Sequence, residues 1–215
     1  MDFSSIWNMG TLVVSGGSAF VGGALGMFVK GIDARLKLAK LNRELAKLSR
    51  ELQEAKDEAQ ARRAAAVRVA REAAGGLEAY AYACDALLTE NARADRAGDA
   101  ISFRLPKLAP GGQAGDSPDA LELESAYRDL EQQVRAANDH IAETSRDTYH
   151  AGPEEALVVL DARAYETAAS ALKLAGRYRE RFDVPRMPLG RREQRIEDAI
   201  LSRAAEEDAA STTDH

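Results

Sequence analysis

Residues 121–141 read LELESAYRDLEQQVRAANDHI, with apolar side chains at Leu123, Tyr127, Leu130, Val134, Ala137 and Ile141. The steps alternate between four and three residues, which returns each side chain to one side of a helix and is incompatible with the period of two that a strand needs. Ser117 or Asp119 supplies a cap at the start, so the spacing predicts a helix from there to about Tyr149. The same pattern extends in both directions. Upstream, Leu77, Tyr80, Ala81, Cys84, Leu87, Leu88 and Asn91 make an apolar stripe of the width that a globular helix buries. Downstream, Gly152-Pro153-Glu154-Glu155 starts another helix, with proline in the first turn and acids beside the positive end of its dipole. Its predicted inner face runs Leu157, Leu160, Ala164, Ala168, Ala171, Leu172, Ala175 and Tyr178 to Phe182. The expected fold class is all-α, with these long helices packed as an antiparallel bundle.

Composition agrees with this. The chain has 215 residues, 45% of them hydrophobic, and 42 residues are alanine. A core so poor in large side chains buries area through close approach of alanine-rich faces. A β-sandwich or a doubly wound sheet is not expected. The single cysteine excludes an intrachain disulfide and a cysteine-built zinc site, and the three histidines have no ligand spacing. His140, with Glu143 as the nearby carboxylate, and His150 are read as helix-end residues rather than metal ligands. No nucleophile beside a base and no phosphate loop is found, so no catalytic residue, cofactor or metal is assigned.

At the other end of the chain, residues 3–29 read FSSIWNMGTLVVSGGSAFVGGALGMFV without a charge. This run is long enough to span a bilayer core of roughly 30 Å as a helix, and no basic group precedes it as a secretory signal would require. Residues 30–50 then carry Lys30, Arg35, Lys37, Lys40, Arg43, Lys47 and Arg50 against Asp33 and Glu44. By the positive-inside rule the N-terminus is outside and the body cytoplasmic. Within the span, Ser18, Gly22 and Gly26 place small residues on one face, which favours helix association in lipid. Lys30, Arg35, Lys37 and Lys40 are the candidate contacts to anionic headgroups.

Beyond the span, Leu38, Leu41, Leu45, Leu48 and Leu52 alternate by three and four and continue through Ala55 and Ala59. This is a coiled-coil seam of about four heptads. Leu38, Leu45, Leu52 and Ala59 occupy one core position, and Leu41, Leu48 and Ala55 the other. Of the glutamates at the g positions, Glu44, Glu51 and Glu58, Glu51 is the one read with an e-position partner, Lys56, in a parallel dimer, so pairing specificity reads as poor. An antiparallel hairpin with a helix of the same chain is the other way to cover the seam.

The expected organisation is an anchor at 1–30, a stalk at 31–74, and a body made of 75–97 and 119–183. A Pro/Gly linker at 98–118 interrupts the body, and a short amphipathic helix with a disordered tail follows at 184–215. Gly75-Gly76 is read as a bend or a hinge between stalk and body, and Phe103, Leu105 and Leu108 as apolar residues laid across the body's surface. Arg177, Arg179, Arg181, Arg186, Arg191, Arg192 and Arg195 form a basic cluster, read as a solvated face, with acidic lipid or a partner as the alternative. Residues 73–215 carry 17 basic and 27 acidic groups, which disfavours nucleic acid.

The apolar anchor, the basic coiled segment, Leu105-Pro106-Lys107-Leu108 and the stretch Arg179-Glu180-Arg181-Phe182-Asp183-Val184-Pro185 together resemble a group of uncharacterised, membrane-anchored helical bacterial proteins. The resemblance implies a single-pass protein of the cytoplasmic membrane and carries no activity with it. The anchor and helix also look like the b subunit of ATP synthase, a pattern from which the proline-broken stretch after Gly98 departs. The functional expectation is a non-enzymatic scaffold or docking protein that associates with its own copies, with membrane lipid and with a cytoplasmic protein. The alternative is a membrane-active effector of the toxin or phage-defence type, whose glycine-rich spans assemble into a lesion.

Overall fold

The computed structural model describes residues 33–146 and 148–213, and side chains within 40–146 and 154–206. Four helices occupy them: α1 (Asp33–Ala97), α2 (Pro118–Arg146), α3 (Thr148–Phe182) and α4 (Arg191–Thr213). The described residues contain no strand, so the chain is all-α. They divide into two units, one reaching to Glu58 and one starting at Ala59. In the first unit α1 is a helix whose described side chains are all exposed.

The second unit holds the core. α2 buries Leu123, Tyr127, Leu130, Val134, Ala137 and Ile141, the face marked by the steps of three and four, together with Ala120. α3 meets it in antiparallel fashion: Arg181 pairs with Asp119, Arg177 with Glu122, Gln133 with Glu166 and His140 with Arg163, so residue numbers rise on one helix as they fall on the other. Small side chains permit the close approach, since Ala164, Ala168, Ala171 and Ala175 are buried along α3. Tyr178 fills the space at one end, with its ring edge-on to Tyr127 and stacked on Phe182, both at 6.5 Å between centroids. From α1 the core takes Ala70, Ala74, Leu77, Tyr80, Ala81 and Cys84, and from α4 Ile200 and Ala204.

Three expectations are corrected here. Gly75-Gly76 does not interrupt α1, which is helical from Asp33 to Ala97. Burial of Ala73, Ala74 and Leu77 around the pair holds the helix through it, and packing overrides the weak propensity of two glycines. Of the tail at 204–215 expected to be disordered, the described part is helical, because α4 runs to Thr213. Ala204 is buried and anchors that extension, and the alanines beyond it are the best helix formers. The linker is not a surface strap only: Leu105 and Leu108 belong to the core, with Phe103 packed against it.

Among the described residues no helix is long and apolar enough to cross a membrane. The run at 3–29 read as an anchor lies outside them.

Helix ends follow local chemistry. Ser117 caps α2, its Oγ accepting from the Ala120 N–H at 3.2 Å. α1 stops at Gly98, whose φ of 72° turns the chain so that the Asp99 N–H reaches the Ala94 carbonyl at 2.9 Å. α3 stops likewise at Asp183, φ 51°, with the Val184 N–H bonded to the Arg179 carbonyl at 2.9 Å.

Candidate functional site

The first candidate surface is the leucine seam. Leu41, Leu45, Leu48 and Leu52 are 54–62% exposed on α1, spaced by four and three. Exposed leucines scattered singly need no explanation, but a repeated row on one helix face does. Lys40, the candidate headgroup contact with a described side chain, is exposed on the same helix. Leu38, Arg35 and Lys37 lie on α1 where side chains are not described, and Ser18, Gly22, Gly26 and Lys30 lie outside the described residues.

Six of the seven arginines of the basic cluster are exposed, as a solvated face requires, and only Arg179 is half-buried; four of the seven, Arg177, Arg179, Arg181 and Arg186, are also paired with carboxylates. Arg179 holds Glu78 of α1 through two parallel bonds, Nε to Oε1 at 2.9 Å and Nη2 to Oε2 at 2.8 Å. Its Nη1 donates to the Pro185 carbonyl at 2.9 Å. Arg186 bridges Glu78, at 3.0 Å, and Glu197 of α4. Tyr82 completes the network by donating to Glu197 Oε1 at 2.6 Å. Burial, followed by this bond to Glu197, raises the phenol's pKa, and the Glu197 hydrogen bond also holds Arg186 above the ordinary guanidinium value. Arg177 and Arg181 are ion-paired to Glu122 and Asp119 on α2. Arg177, Arg179, Arg181 and Arg186 therefore link α1, α2, α3 and α4 through ion pairs, of which Arg179 with Glu78 is the well-covered one. Sequence could not reveal that, because Glu78 and Arg179 are 101 positions apart.

Two further groups have clear roles in packing. Tyr80 donates to Thr167 Oγ1 at 3.0 Å, and Thr167 donates to the Arg163 carbonyl at 2.8 Å. Cys84 lies beside them, 1% exposed, with its thiol pushed up to about 11 by burial. Its polar neighbours are hydroxyls, not a base, so the thiol is held in its unreactive form. His140 is exposed, and its Nδ1 accepts from Arg163 Nε at 3.4 Å. An arginine facing that nitrogen opposes a cation there. Among the described residues no group of three His, Cys, Asp or Glu is placed to hold a metal ion.

The second candidate surface was not anticipated. The 98–117 segment runs along α2 in the opposite direction. Leu105 N–H donates to Asn138 Oδ1 at 2.8 Å, and the Ala109 carbonyl accepts from Tyr127 at 2.7 Å. Four extended residues cover about 13 Å and eleven helical ones about 16 Å, so the segment must be nearly straight to match both ends. Between segment and helix lies a cleft of about 690 Å³, with Arg104, Lys107 and Arg135 around it. The signal in the sequence was the apolar content of a proline-rich stretch. Its position over α2 depends on Asn138 and Tyr127, which look like ordinary helix residues.

No protein-family model matches the chain, and neither a curated protein nor a solved structure matches it.

Proposed function

We propose that the chain is a non-enzymatic, membrane-anchored helical scaffold, which associates with its own copies through the seam on α1 and presents the four-helix unit for docking. The observation that carries this reading is the exposed row Leu41, Leu45, Leu48 and Leu52. A helix with such a row is incompletely covered by its own chain, and heptad spacing is the pattern that a second identical helix fills.

Charge favours a parallel arrangement. With Leu45 and Leu52 at a, and Leu41 and Leu48 at d, the g positions carry Glu44, Glu51 and Glu58, while Lys56 and Arg63 stand at e. A parallel pair faces Glu51 with Lys56 and Glu58 with Arg63. An antiparallel pair faces g with g, setting glutamate against glutamate. The apolar run at 3–29 supplies the anchor in this reading and orients both copies alike. Lys30, Arg35, Lys37 and Lys40 follow it as headgroup contacts, and the small residues Ser18, Gly22 and Gly26 add packing within the bilayer.

The test is the mass of the full-length protein in mild detergent by light scattering, wild type against Leu45→Glu/Leu52→Glu. The wild type is expected as an oligomer and the variant as a smaller species of unchanged helicity. An oligomer of equal mass in both would remove the seam from the account.

A further inference from the structure

We propose that the cleft between the Leu105-Pro106-Lys107-Leu108 strap and α2 is a docking site for an extended acidic peptide segment of a partner protein with apolar residues interspersed. The inference rests on the reading of the helical unit as a docking module and names the chemistry of its partner.

Three observations converge on that chemistry. The first is unspent positive charge. Arg104, Lys107 and Arg135 are exposed and have no ion-pair or hydrogen-bond partner among the described residues, whereas Arg177, Arg179, Arg181 and Arg186 of the same unit are all paired. They border the cleft together with a single carboxylate, Glu131. This local positive charge runs against the acidic balance of residues 73–215, where 27 acids oppose 17 bases. An acidic ligand is therefore drawn to this place and repelled by most of the surrounding surface.

Shape and floor are the second observation. At about 690 Å³ the cleft falls within the range of binding pockets, about 300–1,000 Å³. Leu105, Leu108 and Val134 form its base, with Pro106 and Pro110 beside them, so a compact hydrated anion would leave apolar surface uncovered. A peptide carrying acids and leucines matches both parts.

The third is the strap's backbone. The N–H groups of Arg104, Lys107 and Leu108 make no hydrogen bond to the described residues, and carbonyl or carboxylate oxygens of a bound peptide can accept from them.

The strap is held while its outer side stays open. Leu105 is bonded to Asn138 and Ala109 to Tyr127. A Cβ at Gly111 would lie 2.7 Å from the Tyr127 ring, so glycine there lets the chain pass close to α2. The site is thus preformed, which lowers the ordering cost of binding.

The experiment is fluorescence anisotropy with full-length protein in mild detergent and a fluorescein-labelled peptide of repeated Glu-Asp-Leu triplets. Saturable binding is expected. Arg104→Glu/Lys107→Glu/Arg135→Glu should weaken it by about tenfold or more, and Lys107→Glu alone should act in the same direction if the triple variant loses helicity. The stalk variant Lys40→Glu/Arg43→Glu/Lys47→Glu should change it by less than about twofold, because none of those residues lines the cleft. A peptide of Glu-Asp-Ser triplets should bind more weakly than the leucine probe. The Leu45→Glu/Leu52→Glu variant should bind as the wild type does, so failure of the seam and failure of the cleft are read separately. Absence of saturable binding, equal loss in the stalk variant, an unaffected Lys107→Glu protein, or displacement by inorganic phosphate at matched charge would each overturn the proposal.

Discussion

Tyr80 and Thr167 show how a polar pair is tolerated in an alanine-rich core. Tyr80 is 3% exposed and Thr167 fully buried, and each hydroxyl has an acceptor. Among the described residues every buried side-chain nitrogen or oxygen is hydrogen-bonded. Replacing Thr167 with valine keeps the shape but leaves the phenol without its acceptor, at a cost of about 1–3 kcal/mol. Urea unfolding followed by circular dichroism measures this, and an unchanged midpoint would mean that Tyr80 finds another partner. Cys84 gives a second prediction at this scale. Burial raises its pKa from 9.0 to about 11, and Tyr127 is likewise raised to about 12. The folded chain holds these protons to higher pH than the unfolded chain does. Their contribution is therefore fully present below pH 9 and is lost as pH rises through 11 and 12. The urea midpoint is expected to fall across that window, and Cys84→Ala should reduce the fall in its lower part.

At the scale of elements, α2 was the most legible, because its buried residues form a single face and the steps of three and four record it directly. α3 was read nearly as well: Leu160, Ala164, Ala168, Ala171, Ala175 and Tyr178 are buried as expected, while Leu157 and Leu172 are partly covered. α1 was misread at Gly75-Gly76, since a local cue for a bend says nothing of the core beneath it. The structure makes a prediction there. A Cβ at Gly75 meets nothing within 4 Å, and one at Gly76 would sit an ordinary 3.6 Å from Ala109. Gly75→Ala should therefore stabilise the protein by about 1 kcal/mol through helix propensity and a less flexible unfolded chain. A loss of stability would show that the helix needs freedom at this point. The Glu78, Arg179, Arg186 and Glu197 network was not legible, because charges on a helix surface look alike whether they face water or a residue far along the chain. The candidate cleft was half legible: the strap's apolar residues signalled contact with the body, but neither their burial in its core nor the helix that receives them.

For the whole molecule, the proposed association of copies turns on the seam. Leu41, Leu45, Leu48 and Leu52 are each about half exposed, so burying them contributes about 1 kcal/mol per leucine and roughly 8 kcal/mol for a pair of chains. Association costs on the order of 4–15 kcal/mol, so the seam alone is marginal and a shared membrane, which raises effective concentration, would tip the balance. The salt bridge between Lys47 and Glu51, at 3.7 Å and well exposed, is weak enough to exchange for a contact between chains. The most direct test is oxidative cross-linking in membranes of full-length protein carrying Leu41→Cys in a Cys84→Ala background. A parallel seam predicts a disulfide-linked dimer with Leu41→Cys and none with Gln53→Cys, which lies off the seam. Monomer alone with Leu41→Cys, or equal cross-linking at both positions, would contradict the account.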